Sequence, residues 1–568
     1  MNKVFLVLTM VFILIVGTFA FAETYPTTSN WGPAILNWGS NVKYGGTFKG
    51  IDPAGSMALN FNPFSSVALD GTLAMYENLF YINALNGDIT PLLGTSYNWS
   101  NNNKILTIAI RNGVKWSDGT PFTAQDVAFT FNYIKKYPAL DSNGIWSPIN
   151  HLESVSANGN KAIFEFSTPN VPFLYFISLV PIIPEHIWSD VNNPTEFINP
   201  NPVGTGPFIY KNYDSANKVV TYVKNPIYWM TGRPYIDKVE IQSMNSNVPA
   251  LLSMLKHEAD YSYMFTPDVK STWYDKDPSI NKYWWPAGNI NVLYLNTQKY
   301  PFNNPTFRKA IALAINKESL EKMAYYDTGN VANQTGIIPS QLDEWLDPSL
   351  KNLADSFNYN PDEAQNLLSS IGFKKDSTGN LLEPNGEQLP TFKILVGSGW
   401  TDFITMAQLI QENLKILGIS TIIDQENWGT YIGSVMSGTY DMVICWGTGT
   451  GSTPYYLYYN EFEPSLSATE IGKNALSGYS RYVNSSITSA LMSYSQTTNS
   501  EQQKQAIYTI EKIMLQDVPF IPLTSRTAFN IYSEQNLLGW PSNEHPYFYG
   551  NPLESPSTEI LLLNLHTK

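Results

Sequence analysis

The chain has 568 residues, too many for one hydrophobic core, so two or three domains are expected. Its net charge is −14 and only 14% of its residues are charged, which argues against nucleic acid or an anionic membrane surface as a partner. Cys445 is the single cysteine, which excludes an intrachain disulfide and a thiolate metal site.

The first 22 residues resemble an export signal. Lys3 precedes a long apolar run, and Ala20-Phe21-Ala22 gives the small-x-small pattern of a signal-peptidase site. We therefore expect residues 1–22 to be removed and the mature chain to be periplasmic. A lipoprotein is not expected, because no cysteine lies at the cleavage point. A membrane anchor is the alternative for this run, and no later stretch is apolar enough to span a bilayer.

Strand and helix patterns alternate along the rest of the chain. Residues 104–110 and 161–166 alternate apolar and polar side chains, which predicts strands. Thr123 and Asp126 have the spacing of a capping box at the start of a helix. Apolar spacing predicts one helix over residues 305–323 and another over 403–419 that ends at Gly418. This alternation indicates an α/β protein with mixed sheets.

An unusual loop follows the apolar run of residues 441–446, which is predicted to be a buried strand. Gly447, Gly449 and Gly451 alternate with threonines there, and glycine in such a place often marks close approach to the backbone. The spacing is not that of a phosphate-binding loop, since the G-x-G-x-x-G pattern and a following lysine are missing. A tyrosine cluster comes next and is predicted to form a surface ladder; its members are Tyr455, Tyr456, Tyr458 and Tyr459.

Motifs for catalysis or for a cofactor are not apparent. No G-x-S-x-G elbow or Walker pattern occurs, and the five histidines lack metal-ligand spacing. We expect no enzyme activity, no cofactor and no metal. The 48 acidic residues nevertheless leave the paired carboxylates of a glycoside hydrolase as an open alternative.

Residues 116–134, WSDGTPFTAQDVAFTFNYI, closely resemble the signature of family 5 extracellular solute-binding proteins, the oligopeptide, dipeptide and nickel receptors of ABC importers. Asn316 stands where many members have aspartate. Further matches occur in order along nearly the whole mature chain, at residues 45–50, 62–64, 201–210, 225–229, 307–320, 478–491 and 513–523.

The resemblance implies a bilobal periplasmic-binding-protein fold of type II, with three domains, mixed sheets and a hinge between the lobes. It also implies delivery of ligand to a membrane permease driven by separate cytoplasmic ATPases, with the receptor as a monomer. The expected division is a first lobe from 23–66, 204–296 and 530–568, an extra domain from 67–203, and a second lobe from 297–529.

The glycine loop also bears on the class of ligand. In peptide-binding relatives this segment resembles W-x-A-D, and its aspartate pairs with the peptide α-ammonium. Here Trp446 is followed by glycines and threonines, and burying an ammonium without a partner charge costs several kcal/mol. We therefore predict a neutral ligand, a β-linked gluco- or manno-oligosaccharide such as cellobiose. An oligopeptide remains the alternative.

A sugar needs flat aromatic faces and polar side chains that donate and accept hydrogen bonds. Core packing is the competing interpretation for every tryptophan chosen on this basis. The predicted ligand-binding residues are Trp400, Trp446, Gly447, Thr448, Gly449, Trp428, Asn427, Trp285 and Asn62.

Overall fold

The computed structural model describes residues 31–39, 42–53, 58–65, 68–244, 246–551 and 557–568. The predicted signal peptide, residues 1–22, lies outside the described residues. Two large mixed sheets and a smaller antiparallel sheet organise the part of the chain that the structure describes.

The larger sheet has seven strands drawn from distant parts of the chain. Thr47–Asp52 is an interior strand that pairs in parallel with Lys238–Ser243 and with Tyr261–Tyr263. The remaining strand pairs of the sheet are antiparallel. Its strands in spatial order are Asn281–Trp284, Asn530–Ser533, Tyr261–Tyr263, Thr47–Asp52, Lys238–Ser243, Val219–Lys224 and Phe208–Asp214.

The second large sheet has five strands and is also mixed. Phe392–Gly397 pairs in parallel with both Thr421–Glu426 and Met442–Trp446, so three strands end at the same edge. Ala287–Leu295 runs antiparallel to its two neighbours. The strands in spatial order are Thr421–Glu426, Phe392–Gly397, Met442–Trp446, Ala287–Leu295 and Ile521–Thr527.

A four-stranded antiparallel sheet and three strand pairs complete the strands of the described residues. The four strands in spatial order are Gly94–Ser100, Ile105–Ile110, Lys161–Phe166 and Leu152–Asn158. The pairs are Phe80–Ile82 with Ile89–Pro91, Lys374–Lys375 with Leu381–Leu382, and Leu537–Leu538 with His566–Thr567.

Helices cover both faces of the five-stranded sheet and one face of the four-stranded sheet. The α-helices are Ala124–Lys136, Phe173–Ile177, Glu185–Trp188, Asn247–Leu255, Val269–Thr272, Pro305–Ala314, Lys317–Ala324, Pro339–Trp345, Lys351–Asp355, Pro361–Ser370, Thr401–Ile416, Trp428–Ser437, Tyr455–Phe462, Ser485–Ser495, Ser500–Asp517 and Ser557–Asn564. Short 3-10 helices lie at Thr72–Ala74, Pro138–Leu140, Pro148–Asn150 and Tyr274–Lys276.

The chain passes directly between the two large sheets at two places. Trp285 and Pro286 join Asn281–Trp284 of the larger sheet to Ala287–Leu295 of the smaller one. Ala528 and Phe529 return the chain to the larger sheet. The strand Ala287–Leu295 therefore pairs with the strands of residues 392–527, although our expected division grouped it with the first lobe; that division stays a prediction.

Local sequence signals explain several elements. The period-two strands are confirmed at Ile105–Ile110 and Lys161–Phe166. The capping box is confirmed as well: the Thr123 hydroxyl accepts from the first turn, and Asp126 accepts from the Thr123 N–H at 2.8 Å. Capping of this kind stabilises a helix by about 1 kcal/mol.

Two predictions about helical segments are wrong. The single helix over 305–323 is two helices, because the chain leaves helical geometry at Ile315 and the Asn316 side chain caps a second helix by accepting from the Ser319 N–H at 3.0 Å. The predicted surface ladder of tyrosines is instead a buried helix. The helix Phe173–Ile177 packs against this tyrosine helix, and the ring of its Tyr175 lies 4.5 Å from that of Tyr456.

Candidate ligand-binding cavity

A cavity of about 460 Å³ opens between the two large sheets, within the size range of small-molecule sites. Both sheets and the second crossing segment contribute to its walls. The lining residues are Asn247, Tyr263, Met264, Phe265, Tyr325, Gly399, Trp400, Thr401, Asp402, Phe403, Trp428, Trp446, Arg526 and Phe529.

Three tryptophans form one wall, which we call the indole wall: Trp400, Trp428 and Trp446. Their ring centroids are 5.9 to 6.2 Å apart. The rings of Trp428 and Trp446 are nearly parallel, with an interplanar angle of 18°. The wall therefore presents a broad, continuous aromatic surface to the cavity.

The five-stranded sheet explains why these rings meet. Trp446 ends one strand, and Trp400 follows Phe392–Gly397, the strand beside it; because these two strands are parallel, their carboxyl ends lie together. A Cβ at Gly397 would lie within 3 Å of the Trp400 ring, so glycine lets that ring fold back against the strand. Trp428 begins a helix and is 54% exposed.

Aromatic side chains attached to the other sheet or to the crossing form the facing wall. Tyr263 ends a strand of the seven-stranded sheet, and Phe265 follows it. Phe529 lies on the crossing segment, with its ring 5.2 Å from that of Phe265. Trp285 lies behind this wall, buried, with its ring 5.2 Å from that of Phe529.

Arg526 brings a positive charge into the cavity. Its guanidinium carbon lies 4.9 Å from the centre of the Trp446 ring, a cation–π contact. Burial alone would lower the pKa of Arg526, but the nearby tyrosines and Asp402 outweigh that effect and the pKa is raised. Within the described residues, the guanidinium has no hydrogen-bond partner and no carboxylate within 4.0 Å.

Asp402 brings an acidic group into the same cavity, from the first turn of the helix Thr401–Ile416. Its Oδ2 accepts a hydrogen bond from the Tyr325 hydroxyl at 3.2 Å, and that hydroxyl accepts from Asn291 at 2.9 Å. Burial raises the pKa of Asp402, and the hydrogen bonds and the charge of Arg526 oppose the rise. The hydrogen bond from Tyr325 thus fixes the carboxyl in place, while burial and the surrounding donors act on its pKa in opposite directions.

The glycine loop does not line this cavity. A Cβ at Gly449 would lie within 3 Å of the Tyr456 carbonyl oxygen, and one at Gly451 would meet the Tyr456 ring. A Cβ at Gly447 would lie 2.9 Å from Asn289 Oδ1. The close approach that these glycines permit is therefore that of the chain's own tyrosine helix and a neighbouring strand.

Thr448 is engaged inside the protein. Its N–H and its hydroxyl both donate to Oε1 of Glu461, at 2.9 and 2.7 Å. Tyr294 also donates to that carboxyl. Burial raises the pKa of Glu461, although these hydrogen bonds oppose the rise.

Two predicted residues have structural roles. Asn427 caps the helix of Trp428 by accepting from the Thr430 N–H at 3.2 Å. Asn62 is buried and donates to the carbonyl oxygens of Pro194 and Phe197 at 2.9 and 3.1 Å. Of the nine predicted residues, the structure brings Trp400, Trp428 and Trp446 together in the cavity wall and places the other six outside it.

Sequence reasoning missed the two charged residues of the cavity, Asp402 and Arg526, and the aromatic residues of the facing wall. Asp402 lies two residues after Trp400, so a search around that tryptophan would have found it. Arg526 and Phe529 carry no local signal, because only the sheet topology brings residue 526 beside residue 446.

The family of the chain follows from comparison with known proteins. Residues 88–465 match the family described as bacterial extracellular solute-binding proteins, family 5 Middle, over more than half of the chain. The chain is a family 5 extracellular solute-binding protein. Di/tripeptide-binding protein 2 of Pseudomonas aeruginosa is 26% identical to this solute-binding protein over 80% of this chain and 84% of its own length.

Solved structures agree on the fold. An oligopeptide-binding protein of an oligopeptide ABC transporter from Thermotoga maritima has a TM-score of 0.81 and is 28% identical over 92% of this chain and 99% of its own. Its mannohexaose-bound structure has a TM-score of 0.77 and is 27% identical over 92% of this chain and 98% of its own. The bilobal α/β periplasmic-binding fold is confirmed.

Membership of this family fixes the general role of the solute-binding protein. It is a substrate-binding receptor of an ABC transporter, and its relatives are receptors rather than enzymes. Receptors of this family bind small ligands and work with permease and ATPase subunits. Within the described residues, no helix has the length and apolar character needed to cross a bilayer.

Proposed function

We propose that this receptor captures a neutral oligosaccharide between its lobes and delivers it to the permease. The indole wall carries the proposal. Sugar rings present flat C–H faces to aromatic rings, and by analogy with aromatic pairs such a contact contributes about 0.5–1.5 kcal/mol beyond the area buried. Trp428 keeps half of its surface exposed without ligand, so its face is free for such a contact.

One comparison supports a sugar. The Thermotoga maritima protein has mannohexaose bound in its structure although it is named an oligopeptide-binding protein. A β-linked gluco- or manno-oligosaccharide therefore remains the ligand class that we favour for this chain, on the aromatic character of the cavity and on that relative.

A peptide is the second candidate, and the names of the curated relatives support it better than they support a sugar. They include di/tripeptide-, dipeptide- and glutathione-binding proteins at 23–26% identity. The cavity also offers a carboxyl, Asp402, and a guanidinium, Arg526, which suit the two ends of a zwitterion.

The deciding experiment is a titration of the purified mature protein with mannohexaose, cellohexaose and tri-alanine, followed by calorimetry and by tryptophan fluorescence. We expect an oligosaccharide to bind, to change the fluorescence and to raise the melting temperature, because a ligand of the folded state stabilises it by mass action. Binding of tri-alanine without binding of either sugar would favour the peptide alternative. Release of shorter sugars on long incubation would instead indicate a glycoside hydrolase.

The remaining features of the receptor belong to the same proposal. Residues 1–22 act as a cleaved signal without lipid attachment, and the mature receptor works as a periplasmic monomer. Its first lobe, extra domain and second lobe follow the division expected from the sequence, except that Ala287–Leu295 belongs with the second lobe, in whose sheet it pairs. Mass spectrometry of the exported protein and its sedimentation velocity test the signal and the monomer.

A further inference from the structure

The cavity contains two opposite charges that do not meet. Asp402 and Arg526 both line it, yet no oxygen of Asp402 lies within 4.0 Å of a nitrogen of Arg526. Both charges therefore face one cavity without forming an ion pair. The cavity that they line is bounded by aromatic rings, and we call the space between the two charges the opening.

Each charged group is held on its own side of that opening. The Tyr325 hydroxyl donates to Asp402 at 3.2 Å, and Asp402 belongs to the first turn of a 16-residue helix whose amino end favours negative charge. Arg526 is on a strand of the five-stranded sheet, with its guanidinium above the Trp446 ring.

The chemistry of the opening selects its occupant. A carboxylate accepts hydrogen bonds only, and a guanidinium donates only. A hydroxyl does both, so a single hydroxyl or a vicinal pair can donate to Asp402 and accept from Arg526. A sugar ring stacked on the neighbouring indole wall presents such hydroxyls at its edge, whereas a peptide satisfies both charges only if its ammonium and its carboxylate reach the opening together.

We propose that Asp402 and Arg526 form a split anchor, a pair of opposite charges that the hydroxyls of one sugar ring bridge when that ring lies on the indole wall. The inference rests on the proposed function, since it assigns the polar half of the same site. It identifies Asp402 and Arg526 as specificity-determining residues that require a donor and an acceptor on one edge of the ligand.

A double-mutant cycle in ligand binding tests the split anchor. Asp402→Asn keeps an acceptor but removes the charge, and Arg526→Met keeps the length but removes the donors. Each should weaken mannohexaose binding about tenfold or more, because hydrogen bonds to charged groups are among the stronger ones. The double variant should lose clearly less than the product of the two single losses, because both substitutions disturb the same bridge.

The matched control is a surface ion pair of the same lobe. Lys393 Nζ lies 2.8 Å from Asp424 Oδ2, outside the cavity lining, so Lys393→Met and Asp424→Asn should leave the dissociation constant for mannohexaose unchanged. The melting temperature of each ligand-free variant separates a binding effect from a folding effect.

The outcomes distinguish the anchor from the proposed function. If the wild type binds mannohexaose or cellohexaose and both cavity variants keep full affinity, the split anchor is wrong while the oligosaccharide function stands. If the two losses multiply, the groups act separately and the bridge is overturned. If the wild type binds only tri-alanine and Asp402→Asn abolishes that binding, Asp402 serves an ammonium and both proposals fail.

Discussion

The α-carbon of Gly449 lies against the main-chain carbonyl of Tyr456, so closely that a Cβ at position 449 would come within 3 Å of that oxygen. The alternating glycines therefore let their loop pack against the tyrosine helix and against Ala287–Leu295. Contacts of this kind belong to folding rather than to ligand binding.

Gly449→Ala should accordingly lower the free energy of unfolding, by about 1–3 kcal/mol, because an added methyl group has to displace backbone. Urea unfolding measures the loss. Gly433→Ala is the matched control: position 433 is inside a helix, nothing lies within 4 Å of its new Cβ, and alanine favours helix by up to about 1 kcal/mol. Equal stability of Gly449→Ala and the wild type would contradict the prediction, because it would show that the loop can shift to accommodate the added methyl group at no cost.

The two ends of the indole wall should respond differently to substitution. Trp428→Ala should weaken oligosaccharide binding about tenfold, because a stacking face and its buried area are lost, with little change in the melting temperature of the ligand-free protein. Trp400→Ala should lower both the affinity for oligosaccharide and the melting temperature, since the half-buried Trp400 ring contacts Phe403 and Tyr431 at centroid distances of 5.6 and 5.2 Å.

Calorimetry and thermal unfolding of both tryptophan variants decide this prediction. Tyr359→Ala is the control, because it removes an exposed aromatic ring outside the cavity lining. Full affinity of Trp428→Ala for the oligosaccharide would show that the wall is not the ligand surface.

Glu511 should make stability depend on pH. Burial raises the pKa of this side chain to about 8, and the proton-free form is disfavoured although Oε2 accepts from the Asp347 N–H at 2.8 Å. The pKa of Glu511 is higher in the folded state than in the unfolded state. Its contribution to the free energy of unfolding is therefore complete below about pH 4.5 and is lost as the pH rises towards 8.

Glu511→Gln should flatten that dependence, by up to about 1.4 kcal/mol per pH unit within this window, since glutamine cannot ionise but still accepts from Asp347. Urea unfolding at a series of pH values measures the slope. Some slope will remain, because burial also raises the pKa of Glu77, to about 7. The exposed Glu544→Gln should leave the slope as in the wild type, and an unchanged slope in Glu511→Gln would contradict the prediction.

Contacts between distant segments should influence how open the receptor is. Tyr456 contacts Tyr175, and its hydroxyl donates to the Pro172 carbonyl oxygen at 3.2 Å, so the tyrosine helix joins residues 67–203 to the second lobe. Tyr175→Ala should shift the ligand-free population towards more open arrangements, because it weakens a contact made only when these segments meet.

Small-angle X-ray scattering should then give a larger radius of gyration for ligand-free Tyr175→Ala than for the wild type. Tyr137→Ala is the control, since that ring contacts Tyr133 within its own segment at a centroid distance of 4.9 Å. Identical scattering of Tyr175→Ala and the wild type would show that the contact does not hold the segments together.

Part of this fold and of the cavity could be predicted from the sequence, and part could not. Local periodicity and capping were sufficient for Lys161–Phe166 and for the helix that begins after Thr123, because their signals lie within a few residues. The burial of the tyrosine helix was not predictable, since the surface that covers it is about 280 residues away in the chain. For the cavity, the sequence pointed to four tryptophans, of which three line it, whereas Arg526 is brought to Trp446 only by pairing across the five-stranded sheet.

All three rings of the indole wall are attached to one lobe, while Tyr263, Phe265 and Phe529 belong to the other sheet or to the crossing. We therefore expect a ligand to contact the tryptophans first and the facing rings afterwards, so that capture has two steps with separate rates. Substitutions in the indole wall should alter the first, concentration-dependent step, whereas substitutions at Phe265 or Phe529 should mainly shorten the lifetime of the complex. In stopped-flow fluorescence the observed rate should level off at high ligand concentration, and a rate that keeps rising in proportion to ligand would mean that both walls engage at once.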